Sequence, residues 1–288
     1  MTTEEILAKI DNLPTLPFVA MKIGELVEDP NMSHRQIADV LRQDVSLSAK
    51  VLRLANSSYY AVSGGVTDIG KAVSVMGLNS LHQLVLSVSV MGTLRTPAGA
   101  LFDAKGLWLH ALGVATCAEV IARRIRHPDP GLCFTGGLLH DMGKVALANA
   151  DPKRFVAAFQ TAKSKGEHMH VAEKGNGLPS HDKVGIRLAR RWRFPPGLSA
   201  PIEFHHHDPA KPEDKAAIPT WALPLVDIVS LSDEICRQYK IGDGGSPEPE
   251  QPNAATLARL GLGPLHVLEI YSSLMRRLEV SKIFLELV

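Results

Sequence analysis

The sequence is short of cysteine, of aromatic side chains, of net charge and of long apolar runs. Its three cysteines, Cys117, Cys133 and Cys236, stand far apart with no Cys-x-x-Cys spacing. That excludes a disulfide framework and a cysteine-ligated zinc ribbon. It leaves them as small core residues in a reducing compartment. Lys and Arg total 31 against 30 Asp and Glu, a formal charge of +1. Such balance excludes a general attraction to nucleic acid or to an anionic membrane surface. No apolar run reaches the roughly 18 residues of a membrane span. The most apolar stretch, Leu84 to Leu94, is interrupted by Ser87, Ser89 and Gly92. The opening Met-Thr-Thr-Glu-Glu-Ile is acidic and unlike a secretory signal. A soluble, cytoplasmic protein is expected.

What the chain does have is aliphatic residues in helical periodicity. Apolar residues make up 45% of 288 positions while aromatics make up only 5%. That suffices for the core of one large domain or two modest ones. Apolar positions recur at three- and four-residue spacing almost throughout, with no strand-like alternation beyond a few residues. The spacing predicts helices over 3–11, 18–28, 44–56, 69–76 and 78–94, with Gly77 as a C-cap between the last two. Ser33 to Gln36 has the form of a capping box. Thr96 to Ala100 marks a junction, and residues 57–65 a loop. Further helices are expected over 103–126, around His140, over 152–165, 168–174, 181–193 (capped by Ser180), 197–206, 221–239, 254–260 and 264–286. Residues 208–218 read as a surface loop. Gly242 to Pro252 reads as a mobile segment. The fold class is all-α, with an N-terminal helical bundle (1–100) packed on a second one (101–288).

Chemistry concentrates in the second half. The stretch Phe134 to Lys144 is apolar and small, yet carries His140, Asp141 and Lys144 where core residues belong. On one helix, His140 and Asp141 would project about 100° apart and could reach one point between them. An imidazole and a carboxylate begin a divalent metal site, although a hydrogen-bonded core pair has the same residues. Further histidines fall on apolar helix faces: His110, His181, His205 and His206. His168 and His170 lie nearby in sequence. Asp233 sits among Ile228, Val229, Leu231 and Ile235, where a carboxylate must be paired or ligated. Lys144, one turn from His140, can hold a phosphate oxygen or simply an ion pair. Arg187, Arg190, Arg191 and Arg193 read as a solvated basic face rather than a nucleic-acid patch.

The order His110, His140-Asp141, Asp233 resembles the ligand order of the HD superfamily of metal-dependent phosphohydrolases. Glu173, His181 with Gly185, and His205-His206 resemble the extra ligands of its HD-GYP branch. The pattern over roughly 10–240 resembles the HDOD (HD-related output domain) family more specifically. It is carried by Leu13 to Pro17, Asp44 to Ser57, Ala72 to Gly77, Leu107 to His110, Gly137 to Lys144, His181 to Gly185, Trp192, Pro195 and Ile202 to His206. The resemblance implies an HD-like helical bundle behind a smaller N-terminal one. It implies a bacterial signal-transduction output domain acting through partner proteins or a nucleotide. The alternative it implies is a phosphohydrolase acting on a phosphate ester or nucleotide, with one or two divalent ions (Fe, Mn, Zn, Ni or Mg) and with Asp141 and Lys144 as catalytic residues. The implied metal ligands are His110, His140, Asp141, Glu173, His181, His205, His206 and Asp233. The Gly-Tyr-Pro segment of HD-GYP proteins is missing after the His pair, where Asp208 to Pro212 stands instead. Hydrolysis of cyclic di-GMP is therefore not expected. Neither a membrane nor a nucleic acid is an expected partner.

Overall fold

The structure, a computed structural model, describes residues 2–27, 29, 31–60, 64–94, 104–207 and 211–287. The expected junction at 96–100, the middle of the expected 57–65 loop and residues 208–210 lie outside them. The described residues are helical with no strand. They divide into two compact units, Met1–Leu13 with Thr96–Met275 and Pro14–Arg95 with Arg276–Val288. Among the described residues, no single helix is long and apolar enough to cross a membrane.

The unit built on residues 14–95 contains α2 (Phe18–Val27), α3 (His34–Leu41), α4 (Val45–Ala55), α5 (Ile69–Met76) and α6 (Leu78–Thr93). Local chemistry sets the helix starts. Gln36 N–H donates to Ser33 Oγ at 3.3 Å, and Ser33 N–H donates to Gln36 Oε1 at 2.8 Å, a complete capping box. Asp44 and Asp68 cap α4 and α5 with one bond each, accepting from Leu47 N–H and Lys71 N–H. Gly77, at φ +76°, turns the chain by 116° between α5 and α6. A left-handed residue without Cβ makes that turn without strain. The last residues complete this unit: a 3-10 helix, Lys282–Leu287, packs on α4 and α6 and buries Phe284.

The other unit contains α1 (Thr3–Asp11), α7 (Ala104–Arg124), α8 (Pro130–Leu139), α9 (Met142–Ala150), α10 (Pro152–Lys165), α11 (Met169–Gly175), α12 (His181–Arg191), α13 (Pro196–Phe204), α14 (Pro212–Ala217), α15 (Leu223–Gln238) and α16 (Ala254–Arg259). It includes the first turns of α17 (Pro264–Ser281). A division at residue 100 differs from this at both ends of the chain. The N-terminal helix α1 packs on α9 and α12 because Ile6 and Ile10 are fully buried there and Asp11 binds the Arg187 guanidinium at 2.6 and 2.5 Å. Arg191 adds a bond to Ile10 O. The basic face expected to be merely solvated thus partly holds α1. The expected surface loop at 208–218 instead contains α14, which begins on Pro212 at a position where a missing N–H costs nothing.

Candidate metal centre

The His140-Asp141 pair does not lie within one helix. Helix α8 ends at Leu139, α9 begins at Met142, and Asp141 is the non-helical residue between them at φ −101°, ψ 11°. Glycines make this corner possible. A Cβ on Gly137 would lie 2.8 Å from the Ala115 Cα of α7, and one on Gly143 would lie 2.0 Å from the His181 carbonyl oxygen. A Cβ on Gly185 would meet Ile202 at 2.7 Å. Close approach at these points draws α7, α8, α9, α12 and α13 around one spot. Their histidines arrive there from different directions.

Four of the five rings are oriented by a bond on the far nitrogen. His140 Nδ1 donates to Gly137 O at 2.7 Å. His110 Nδ1 donates to Ile241 O at 3.2 Å, and His205 Nδ1 to Pro201 O at 3.0 Å. His181 Nδ1 donates to the Glu173 carboxylate at 2.8 and 2.9 Å. A carbonyl oxygen can only accept, so in His110, His140 and His205 Nδ1 carries the proton, and in the neutral ring Nε2 keeps its lone pair. Those Nε2 atoms then face other acceptors. His140 Nε2 is 3.3 Å from Asp141 Oδ2, while His181 Nε2 and His205 Nε2 are 3.2 and 3.5 Å from Asp141 Oδ1. His206 Nε2 stands 2.7 Å from His181 Nε2, and His110 Nε2 stands 3.0 Å from Asp233 Oδ1. His140 Nε2, His205 Nε2 and Asp141 Oδ1 are buried without any hydrogen-bond partner.

Nε2 atoms and carboxylate oxygens turned on one another in a buried site are satisfied by a proton or by a metal cation between them. The spacing fits a metal ion. Ligand atoms bonded at about 2.1 Å lie roughly 3.0 Å apart in an octahedron and roughly 3.4 Å apart in a tetrahedron. The atoms form two groups, Asp141 with His181, His205 and His206, and His110 with His140 and Asp233. Electrostatics keep the carboxylates ionised. Burial pushes Asp141 up, but His140 and Lys144 outweigh it and hold the carboxyl well below its usual range. Burial likewise raises Asp233, and Arg237 with His110 more than reverses this. Burial lowers His181, yet Glu173 and Asp141 raise it to about 9. Burial and the neighbouring imidazoles push His206 well down. Any proton shared by that pair therefore resides on His181.

The structure gives one expected ligand, Glu173, and one expected catalytic residue, Lys144, different work. Glu173 lies behind His181: its carboxylate accepts from His181 Nδ1 and from His181 backbone N–H, at 2.8 Å for the latter. It positions a ligand and does not face the cluster. Lys144 is buried, donating to Asp141 Oδ2 at 2.6 Å and to Gly244 O at 2.8 Å. Those bonds match the ion-pair reading of Lys144 rather than the phosphate-holding one. The remaining expected ligands, His110, His140, Asp141, His181, His205, His206 and Asp233, come together.

Sequence reasoning missed two components. Arg237 binds Asp233 Oδ2 at 3.0 Å and Pro247 O at 2.6 Å. Its position four residues after Asp233 was the available signal. The segment 242–247, expected to be mobile, is instead tied down. Asp243 N–H donates to Gly106 O at 2.9 Å, and a Cβ on Gly244 would lie 2.8 Å from the His110 ring. The glycines that suggested mobility permit this contact.

A two-unit helical protein whose second half carries a His/Asp cluster at a helix corner is of the HD type. The HDOD domain family model matches residues 13–208, and the chain belongs to that family. An HDOD domain protein of unknown function from Geobacter sulfurreducens shares 28% identity and a TM-score of 0.78, covering 97% of this chain and 98% of its own. A candidate phosphohydrolase from Shewanella amazonensis SB2B shares 25% identity and a TM-score of 0.71, covering 98% of both chains. An uncharacterized protein of Treponema pallidum (strain Nichols) is 27% identical over 250 residues, 85% of this chain. This chain spans 46% of that relative's length.

Proposed function

We propose that this chain is a regulatory output module of a bacterial signalling system. Its His/Asp cluster binds one or two divalent ions, and these present a phosphate ester or nucleotide whose binding is passed to signalling-protein partners. One observation carries the metal-binding reading: four histidines spend Nδ1 on the protein and leave Nε2 directed at buried carboxylates. The HDOD family supports the signalling role. An imidazole-rich donor set suits Fe, Zn or Ni better than Mg. Asp141 and Asp233 supply the anionic charge, with Asp141 between the two groups of ligands. Glu173 holds His181 in its tautomer, and Lys144 keeps Asp141 ionised and pinned. A bound divalent ion supplies Lewis acidity toward a phosphoryl oxygen.

Hydrolysis of a phosphate ester is the second reading. It is favoured by the retention of both ligand groups beside an open cavity. Cyclic di-GMP is not the expected substrate. Metal-loaded wild type and His140→Ala, compared for nucleotide binding and for phosphate release from simple esters, distinguish the readings. Metal-dependent binding without turnover supports the regulatory role. Turnover lost in His140→Ala supports the enzyme. Neither binding nor turnover would remove both.

A further inference from the structure

A groove of about 640 Å³ lies between α1 and α12, and none of the clustered His/Asp ligands lines it. Lys183, Ile186, Arg187 and Arg190 face it from α12 at three-, four- and seven-residue spacing. One face of that helix therefore forms a wall of about two turns. Thr3 and Leu7, one turn apart, face it from α1. Ile186, Leu7 and Pro179 form its apolar floor, the first buried and the other two half-buried. The protein's own side chains leave that apolar strip only partly covered.

The rim around the strip is cationic, in a chain whose formal charge is only +1. Lys174, Lys183, Arg187 and Arg190 line the groove against one lining carboxylate, Glu203. Asp11 neutralises Arg187 at 2.6 and 2.5 Å, and Glu203 meets Arg190 at 3.3 Å. Four cations less those two carboxylates leave a surplus of two, on Lys174 and Lys183. Both lysines are exposed, and neither belongs to an ion pair among the described residues.

An apolar strip flanked by uncommitted cations complements an acidic amphipathic helix. Apolar residues on one face of such a helix fill the strip, and carboxylates beside them reach the lysines. We propose that the α1–α12 groove is the docking surface for an acidic amphipathic segment of a protein partner. The proposal rests on the reading of this chain as an output module that acts through such partners. The groove's position suits that work. Lys174 follows Glu173, and Ser180, which also lines the groove, precedes His181. A docked segment therefore sits against the backbone that holds the Glu173–His181 pair.

The test is fluorescence polarisation of a labelled synthetic peptide, with leucines on one helical face and glutamates beside them, titrated with the full chain. Wild type should bind it saturably, and more weakly as salt rises. The double variant Lys174→Glu/Lys183→Glu should weaken binding by about tenfold or more, at least the effect of removing one bond to a charged group. A matched control, Lys153→Glu/Lys165→Glu, reverses two exposed lysines of α10 outside the groove and should bind as wild type does. A peptide of the same charge with serine in place of leucine should not bind. No saturable binding by wild type overturns the proposal. Equal weakening by the control variant, or undiminished binding of the serine peptide, also overturns it, because either shows a general attraction between charges. Metal-dependent nucleotide binding, measured on the same wild-type sample, tests the output-module reading separately. Present without peptide binding, it leaves that reading standing and removes only the groove.

Discussion

His181 shows how a side chain at this site is held from behind. Both its Nδ1–H and its backbone N–H are taken by Glu173, so only Nε2 remains to face Asp141 and His206. Partners of this kind fix the tautomer and raise ligand basicity. Glu173→Gln keeps an acceptor for the ring but removes its charge. It should lower metal affinity by about 10–100-fold while leaving the fold intact. A competitive metal titration checks this, and an unchanged affinity would contradict the positioning role. The sequence identified Glu173 as part of the site but not its side of the ring. A carboxylate eight residues before a histidine reads equally as a ligand or as a support, and the turn at 176–180 decides which. His82, in the other unit, is a pH-sensitive residue of a different kind. Burial pushes its imidazole down to about 4 from an ordinary value of 6.5. The neutral folded form therefore contributes stability that is complete above pH 6.5 and is lost as pH falls toward 4. The shift corresponds to a loss of at most about 3 kcal/mol. Denaturant melts of His82→Gln should lack that acid limb, and an unaltered limb would refute the assignment.

At the scale of elements, the site is a corner where α8 hands over to α9, and glycine sets how closely the neighbouring helices come. Gly143→Ala would drive a methyl group against the His181 carbonyl and the Gly185 N–H, both backbone atoms that cannot rotate away. Overpacking of this kind costs about 1–3 kcal/mol or more. The denaturation midpoint should fall, and metal binding should weaken as α12 moves. Gly175→Ala meets nothing within 4 Å, so it should be neutral or slightly stabilising. Equal effects of the two substitutions would show that close approach at Gly143 is not what matters. Much of this level was legible. The capping residues Ser33 and Asp44, the break at Gly77 and the prolines opening α8, α10 and α13 all signal their own helix ends. The corner at His140-Asp141 was not. The run's glycines at 136, 137 and 143 read equally as helix-compatible small residues, and only the close approach of α7 and α12 at Gly137 and Gly143 shows where the chain turns. The segment 242–247 was misread for a related reason: glycine permits both mobility and close packing, and only the tertiary neighbours choose.

At the scale of the whole molecule, neither compact unit is continuous in sequence. Residues 276–288 join the unit of 14–95, and residues 1–13 join the unit that carries the cluster. Periodicity finds each of these terminal helices but does not say what it packs against, which is why a simple division near residue 100 was expected. Phe284, 1% exposed and edge-on to Tyr59 at 5.5 Å between ring centroids, shows how much the C-terminal segment contributes. Phe284→Ala should destabilise the unit of 14–95 by about 3–5 kcal/mol. Hydrogen exchange should report the loss in α4 and α6 while the helices around the His/Asp cluster stay protected. Loss of protection in α12 and α15 instead would contradict this assignment.

The central claim is that the buried acceptors around Asp141 are metal ligands. Equilibrium dialysis of the purified full chain against Zn²⁺ or Mn²⁺, with bound metal counted by elemental analysis, tests it most directly. The account predicts saturable binding of one or two ions per chain in wild type and its loss in Asp141→Ala, with that variant still folded by circular dichroism. No saturable binding in wild type, or equal binding in the folded variant, would contradict it.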